Sequence, residues 1–275
     1  MPTETLPDYR ITARNTSKQS ENLIHDDATA RRYGFAGALV PGVTVYAYLT
    51  QPLVATFGTA WLERGTATVR FVKPILEGNA VVVSGSVSDR KPSGLTLSLT
   101  ARVDGGEECA VMSATLPAGL PTPVNLLAYR ETPCPDTRPP VSRDVLLAIK
   151  DLGTPVTRYD EALAREFLDK VDDALPIYQG TDGRVHPAYY LDQANKALRG
   201  NVQLGPWIHA SSTVRHLGRA GVGDTLHTRG RIRSLYEKKG REFVELDLVV
   251  VSGDKPRPIA HILHTAIYRL PAPSA

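Results

Sequence analysis

The sequence predicts an α+β protein of two like halves, each an antiparallel sheet wrapped around one buried helix. Three observations carry this: a repeat at an offset of 145 residues, an uncharged stretch before the first copy, and a proline-dense segment between the copies. Residues 68–87 (TVRFVKPILEGNAVVVSGSV) align without a gap on 213–232 (TVRHLGRAGVGDTLHTRGRI), pairing Arg70 with Arg215, Gly78 with Gly223 and Gly85 with Gly230. Both copies then run into alternating strands. TLSLTARV, a turn at Asp104-Gly105-Gly106 and CAVMSATL stand in the first; EFVELDLVVV, a turn at Ser252-Gly253-Asp254 and IAHILHTAIYRL stand in the second. Period-two alternation around a glycine turn is a hairpin signature, and its recurrence after the same repeat points to duplication.

An apolar helix precedes each strand set. The first is GVTVYAYLTQPLVATFG, inside a run from Tyr33 to Leu62 without a charge; the second is PAYYLDQANKALRG, opening at Pro187, a residue suited to a first helical turn. Pro41, Gly42, Pro52 and Gly58 interrupt the uncharged run, so it reads as a buried helix rather than a membrane span. Trp61 and Trp207 follow the two helices at matching places. A helix with no polar face needs cover, and a strand set with one apolar face supplies it.

Seven of the 21 prolines fall between Pro117 and Pro140, which excludes continuous helix or central strand there. The segment reads as a linker whose NLLAY stretch packs down. The organisation is then 1–119, a linker at 120–145, and 146–275. The halves are expected to join edge to edge as a pseudo-dimer, and the reading also admits a homodimer of the whole chain.

Composition narrows the function. Lysine and arginine exceed the acids only by 32 to 29, with no basic cluster, so nucleic acid is not the expected partner. Cys109 and Cys134 stand 25 apart without a Cys-x-x-Cys pair, which fits a reduced cytoplasmic setting and neither a disulfide framework nor a zinc site. Glu4 and Asp8 sit where a secretory signal would be basic and then apolar. No glycine-rich phosphate loop or serine nucleophile elbow is present. His261 and His264 are three apart in a strand, on opposite faces, and cannot share a metal.

Ahead of the first helix stand Ser20-Glu21-Asn22-Leu23-Ile24-His25-Asp26-Asp27 and then YGFAGALVPG. This segment resembles the signature of the MaoC-like, R-specific enoyl-CoA hydratases (hydratase 2), which reads Asp-x-Asn-Pro-apolar-His-x-Asp, then an aromatic-rich loop and His-Gly at the helix start. Asn22, Ile24, His25, Asp27 and Gly42 match it. Ser20 stands in place of the catalytic Asp, Leu23 in place of the Pro, and Pro41 in place of the second His. The resemblance implies a double (tandem) hot-dog fold over the whole chain. It also implies an acyl-thioester hydratase or dehydratase, with His25, Asn22 and Ser20 at the catalytic positions and Asp27, Tyr33, Phe35, Val40 and Gly42 lining the acyl tunnel. CoA or a carrier-protein thioester would belong to the substrate, with no separate cofactor. In that family's chemistry an Asp and a His jointly hold water while a helix N-terminus polarises the thioester carbonyl; a serine hydroxyl is no base at neutral pH.

The second half carries a counterpart. Asp173-Ala174-Leu175-Pro176-Ile177-Tyr178 keeps the Asp, Pro and Ile but has Leu175 for the Asn and Tyr178 for the His, with an eight-residue deletion before His186-Pro187. Pseudo-twofold symmetry puts Asp173 and His25 in different tunnels. Plain structural uses stand beside these: His25, Asn22 and Asp27 suit caps and turns, His209 suits either the second cleft or core packing, and Arg70 and Arg215 suit shared architecture more than a CoA phosphate. Two other functions fit the Ser20 change: a thioesterase using Glu21 or Asp27 to activate water, and a non-catalytic acyl-CoA-binding or partner protein.

Overall fold

A computed structural model describes residues 4–103, 106–253 and 255–271. The first half contains β1 (Tyr9–Thr12), α1 (Asp27–Arg32), α2 (Gly42–Phe57), α3 (Thr59–Arg64), β2 (Thr66–Phe71), β3 (Ala80–Lys91), β4 (Gly94–Val103) and β5 (Glu107–Pro117). The second contains α4 (Arg143–Ala148), β6 (Val156–Arg158), α5 (Glu161–Val171), α6 (Pro187–Arg199), β7 (Ile208–His216), β8 (Thr225–Lys238), β9 (Arg241–Ser252) and β10 (Arg257–Arg269). All ten strands form one sheet in the order β1-β3-β4-β5-β2-β7-β10-β9-β8-β6, which reads the same from either end once the halves are matched.

The sequence repeat generates that symmetry directly. The edge strands β2 and β7 pair antiparallel with Thr68 opposite Thr213, and their Oγ1 atoms are hydrogen-bonded at 2.9 Å. Residues 145 apart meet on the pseudo-twofold axis itself. Arg70 then faces Ser211 and Arg215 faces Thr66, which are equivalent register positions. Arg70 is exposed, Arg215 donates to the Thr122 carbonyl at 3.1 Å, and among the described residues neither forms an ion pair. Shared architecture, not phosphate binding, is their visible role.

The central helices explain the sheet's curl. From Val43 to Thr50 every residue of α2 is buried, and Tyr46, Leu49 and Leu53 are fully so. Burying each large apolar side chain contributes about 1.5–3 kcal/mol, so α2 is stable only with the sheet around it. The second helix departs from the sequence reading. Tyr189, Tyr190, Leu191, Ala194, Ala197 and Leu198 of α6 are buried, but Asp192, Asn195 and Arg199 form a half-buried polar stripe at i, i+3, i+7. It is amphipathic rather than apolar all round.

The segment ahead of the central helix also differs between halves. In the second it holds α5, with Ala164, Phe167, Leu168 and Val171 on its buried face and Asp160 capping the Leu163 amide at 2.9 Å. In the first it holds a single 3-10 turn, Leu23–His25, followed by α1. The connector runs over the outer face of the second half: Tyr129 donates to Asp247 at 2.8 Å, while Val124 and Leu126 pack on Val249 and Val251. His261 joins Asp247 on that outer face while His264 is wholly buried. Of the two hairpin turns, Gly106 and Gly253 take positive φ, 82° and 86°; Asp104, Gly105 and Asp254 lie outside the described residues. Among the described residues no helix is long and apolar enough to cross a membrane.

Candidate active site

A cleft of about 270 Å³ opens where the halves meet, and both line it. The first half supplies the loop of Ser20, Asn22 and His25, with Phe35 and the start of α2. The second supplies the polar stripe of α6 and the segment from Trp207 to Ala210.

His25 is held in one tautomer. Its Nδ1 lies 2.7 Å from the Leu39 carbonyl, an acceptor only, so Nδ1 carries the hydrogen and Nε2 the lone pair. Burial pushes this imidazole below its usual value, and it is neutral at physiological pH. The Asn22 amide donates to Nε2 across 3.3 Å, a long contact that water or substrate can displace. The same amide donates to the Trp207 carbonyl at 3.0 Å and accepts the Trp207 N–H at 3.2 Å. Asn22 also caps the 3-10 turn by accepting from the Ile24 amide, so it is both cap and site residue. Ser20 is half-buried at the cleft wall, its hydroxyl 3.4 Å from the Asn22 carbonyl.

The N-terminus of α2 faces the same space. Pro41 caps it without a side-chain hydrogen bond, and the first-turn N–H groups have no partner inside a helix. Together with the helix dipole they form a seat for a developing negative charge. Gly42 keeps that seat open: a Cβ there would stand 2.8 Å from His209 Nδ1 and 3.1 Å from the Phe71 ring.

For His209 the sequence leaves a second cleft or core or rim packing open. The residue lines this cleft, not a second one, at 7% exposure. Its Nε2 contacts Ser212 Oγ at 2.7 Å, and that hydroxyl contacts His264 Nδ1 at 2.9 Å. Burial pulls His209 well below the usual histidine value and His264 to about 3, so both rings are neutral. His209 and Ser212, three apart, would face opposite sides of a regular strand. A β-bulge, two residues on one strand against one on its neighbour, removes Ala210 from the register between β7 and β10 and returns both to the inner side.

Of the sequence candidates, Ser20, Asn22, His25, Phe35, Val40 and Gly42 line the cleft, with Phe35 on the same side as His25. Two do not. Asp27 spends its carboxylate on the Ala38 amide at 2.9 Å, fixing the loop behind the cleft, and Tyr33 packs with Ile24, Ala30 and Leu39. Glu21 reaches the rim, where Arg138 of the connector holds it at 3.0 Å and keeps its carboxyl below the ordinary range. Lys73, Lys170, Arg199 and Arg241 also border the opening; Lys73 is paired with Glu107.

The second-half counterpart is filled. Asp173 pairs at 3.2 Å with His186 rather than with residue 178, and both are buried. His186 Nδ1 accepts the Ala188 amide at the start of α6, so Nε2–H points at the carboxylate. The Tyr178 ring lies 4.6 Å from the His186 ring and Phe167 5.6 Å from it. Burial holds the Tyr178 phenol well above its usual value. Asp173 and Tyr178 thus form core, away from the His25 cleft. Among the described residues no three His, Cys, Asp or Glu side chains gather as a metal site would need.

No family model and no curated protein matches the chain in sequence. Solved structures do. The chain is similar over 97% of its length to 95% of a MaoC-domain dehydratase-type protein of Chloroflexus aurantiacus, at 12% identity and a TM-score of 0.69. It is similar over 95% of its length to 96% of a conserved hypothetical protein of Mycobacterium tuberculosis with a double hot-dog fold, at 15% identity and a TM-score of 0.61. An oleoyl-thioesterase-type protein of Lactobacillus plantarum matches 97% of each chain at 10% identity and a TM-score of 0.53. The chain has the double hot-dog fold.

Proposed function

We propose that the cleft binds an acyl thioester, on CoA or a carrier protein, and adds water across its α,β-double bond or removes it. The observation that carries this is His25: a neutral imidazole with its Nε2 lone pair turned to a cleft that also holds a helix N-terminus. Dehydratase-type proteins among the fold neighbours support the class.

In this reading the thioester carbonyl rests on the first turn of α2, whose N–H groups stabilise the enolate formed on the way. His25 Nε2 takes a proton from water as the water oxygen bonds to the β-carbon. The resulting imidazolium returns that proton to the α-carbon on the same face. Hydroxide and proton both come from the one water, so the addition is syn and balanced. Burial makes the imidazolium a stronger acid than an exposed one, which favours the second transfer. Ser20 orients water as a neutral hydrogen-bonding group. Lys170, Arg199 and Arg241 stand where the carrier's phosphates would enter.

Hydration is favoured over hydrolysis because the carboxylates a thioesterase would use are engaged elsewhere: Asp27 on the Ala38 amide, Glu21 on Arg138, and Asp192 of the cleft stripe on Lys196. The test is crotonyl-CoA followed at the enoyl absorbance and, in parallel, for free thiol. Bleaching without thiol is expected. Thiol release would transfer the assignment to a thioesterase, and neither signal, across several acyl lengths, to a binding protein.

A further inference from the structure

We propose that His209 is a second catalytic residue of the cleft, its Nδ1–H donating to the thioester carbonyl at the start of α2, with Ser212 and His264 as positioning residues that set this tautomer. The inference rests on the acyl-thioester reading and deepens it.

Among the described residues His209 Nδ1 has no hydrogen-bond partner, and the residue is only 7% exposed. Buried polar side-chain atoms are rarely left unpaired, and this one lies at the cleft over Gly42, 2.8 Å from where a Cβ would be. A carbonyl oxygen seated on the α2 first turn is therefore within its reach. His216 offers the contrast: among the described residues both its nitrogens are also unpartnered, but it is packed against Trp61 and Tyr190 and does not line this cleft. His216 is enclosed by aromatic rings, whereas His209 belongs to the wall of a space that takes a ligand.

The proton count along the chain leaves two arrangements, and a ligand carbonyl decides between them. Ser212 has one hydroxyl hydrogen for two imidazoles at 2.7 and 2.9 Å. In one arrangement His264 Nδ1–H donates to Ser212, Ser212 donates to His209 Nε2, and His209 Nδ1–H projects into the cleft. In the reverse arrangement His264 Nε2 would hold a hydrogen, and that atom is buried without a partner. Each arrangement leaves one buried N–H without a partner among the described residues, on His209 Nδ1 in the first and on His264 Nε2 in the second; a carbonyl bound in the cleft satisfies only the first and so selects it. The bulge at Ala210 is what brings His209 into line with Ser212; bulges recur beside active sites, where they re-aim a side chain.

The experiment is a histidine ¹H–¹⁵N correlation on the full chain, with His209 assigned by His209→Phe. The probes are butyryl-CoA, a thioester with no double bond to hydrate, and S-butyl-CoA, the thioether lacking the carbonyl. With butyryl-CoA bound the hydrogen is expected on Nδ1, and its resonance should move with butyryl-CoA and not with S-butyl-CoA. Ser212→Ala should mix the tautomers and lower kcat while leaving S-butyl-CoA affinity unchanged. His209→Phe should lower kcat by about 10²–10³, the cost of one oxyanion donor. A hydrogen on Nε2 with butyryl-CoA bound, or an equal response to both probes, overturns the proposal alone. Failure of either probe to bind overturns the acyl-thioester reading and the proposal with it.

Discussion

Asn22 grips the backbone of Trp207, 185 residues away, accepting its N–H at 3.2 Å and donating to its carbonyl at 3.0 Å. The two contacts imitate a β-bridge made by a side chain. They fasten the loop carrying His25 to the segment that leads into His209, so the opposed histidines of the cleft share one anchor.

Replacing Asn22 by Ala should therefore act on both halves at once. It leaves a backbone donor and acceptor of Trp207 unpaired, at a cost of about 1–3 kcal/mol. Urea unfolding should show a lower midpoint at unchanged slope, and the thioester turnover should fall with it. Asn22→Asp keeps the acceptor but loses both donated bonds, and should fall between.

His25→Ala should reduce hydration about 10²–10⁴-fold, the usual contribution of a general base. Since His25 acts as the neutral base and burial holds its value below 6.5, kcat/KM should be level above that pH and decline on the acid side. Ser20→Asp restores a carboxylate at the cleft wall and should raise the rate, read from initial velocities on crotonyl-CoA. A drop in thioester affinity without a gain in rate would argue against Ser20 as a weakened acid–base position.

Gly42→Ala places a methyl group 2.8 Å from His209 Nδ1. Overpacking of this size costs about 1–3 kcal/mol, and the methyl covers the helix seat. Binding of butyryl-CoA, measured calorimetrically, should weaken more than His25→Ala weakens it, because His25 is not needed to seat the carbonyl.

His216 makes stability depend on pH. Its buried ring titrates only near pH 4 in the folded chain, while the unfolded chain takes the proton near 6.5. Between those values the unfolded state binds more protons, so stability falls as pH falls, by up to about 1.4 kcal/mol per unit; above 6.5 the group contributes nothing. His216→Leu should remove its share of this slope and leave the shares of His209, His264 and His25, which burial also depresses. The check is the difference in urea midpoints between variant and parent at pH 7 and pH 5.

Much of the fold was legible because the repeat is a backbone property: a constant offset of 145 sets Thr68 against Thr213 strand for strand. His25 and Asn22 were legible because their motif is local, three residues within one turn. Asp27 and Tyr33 were not, since spacing alone does not say which way a side chain points from a loop. Asp192, Asn195 and Arg199 look like any solvated helix stripe until the other half is docked beside them. His209 was hidden by the bulge at Ala210, which breaks the two-residue period that reading a strand depends on.

The peptide tether between the halves changes what evolution can do with them. Two separate chains must meet by diffusion, whereas a flexible connection holds its partners at an effective concentration on the order of millimolar. The ladder of five residue pairs between β2 and β7 therefore need not survive dilution by its own strength. The tether also ends enforced likeness. In a homodimer every substitution appears twice, but here each half always faces an unlike partner. One cleft can keep His25 while its twin closes around Tyr178 and gives its space to the core.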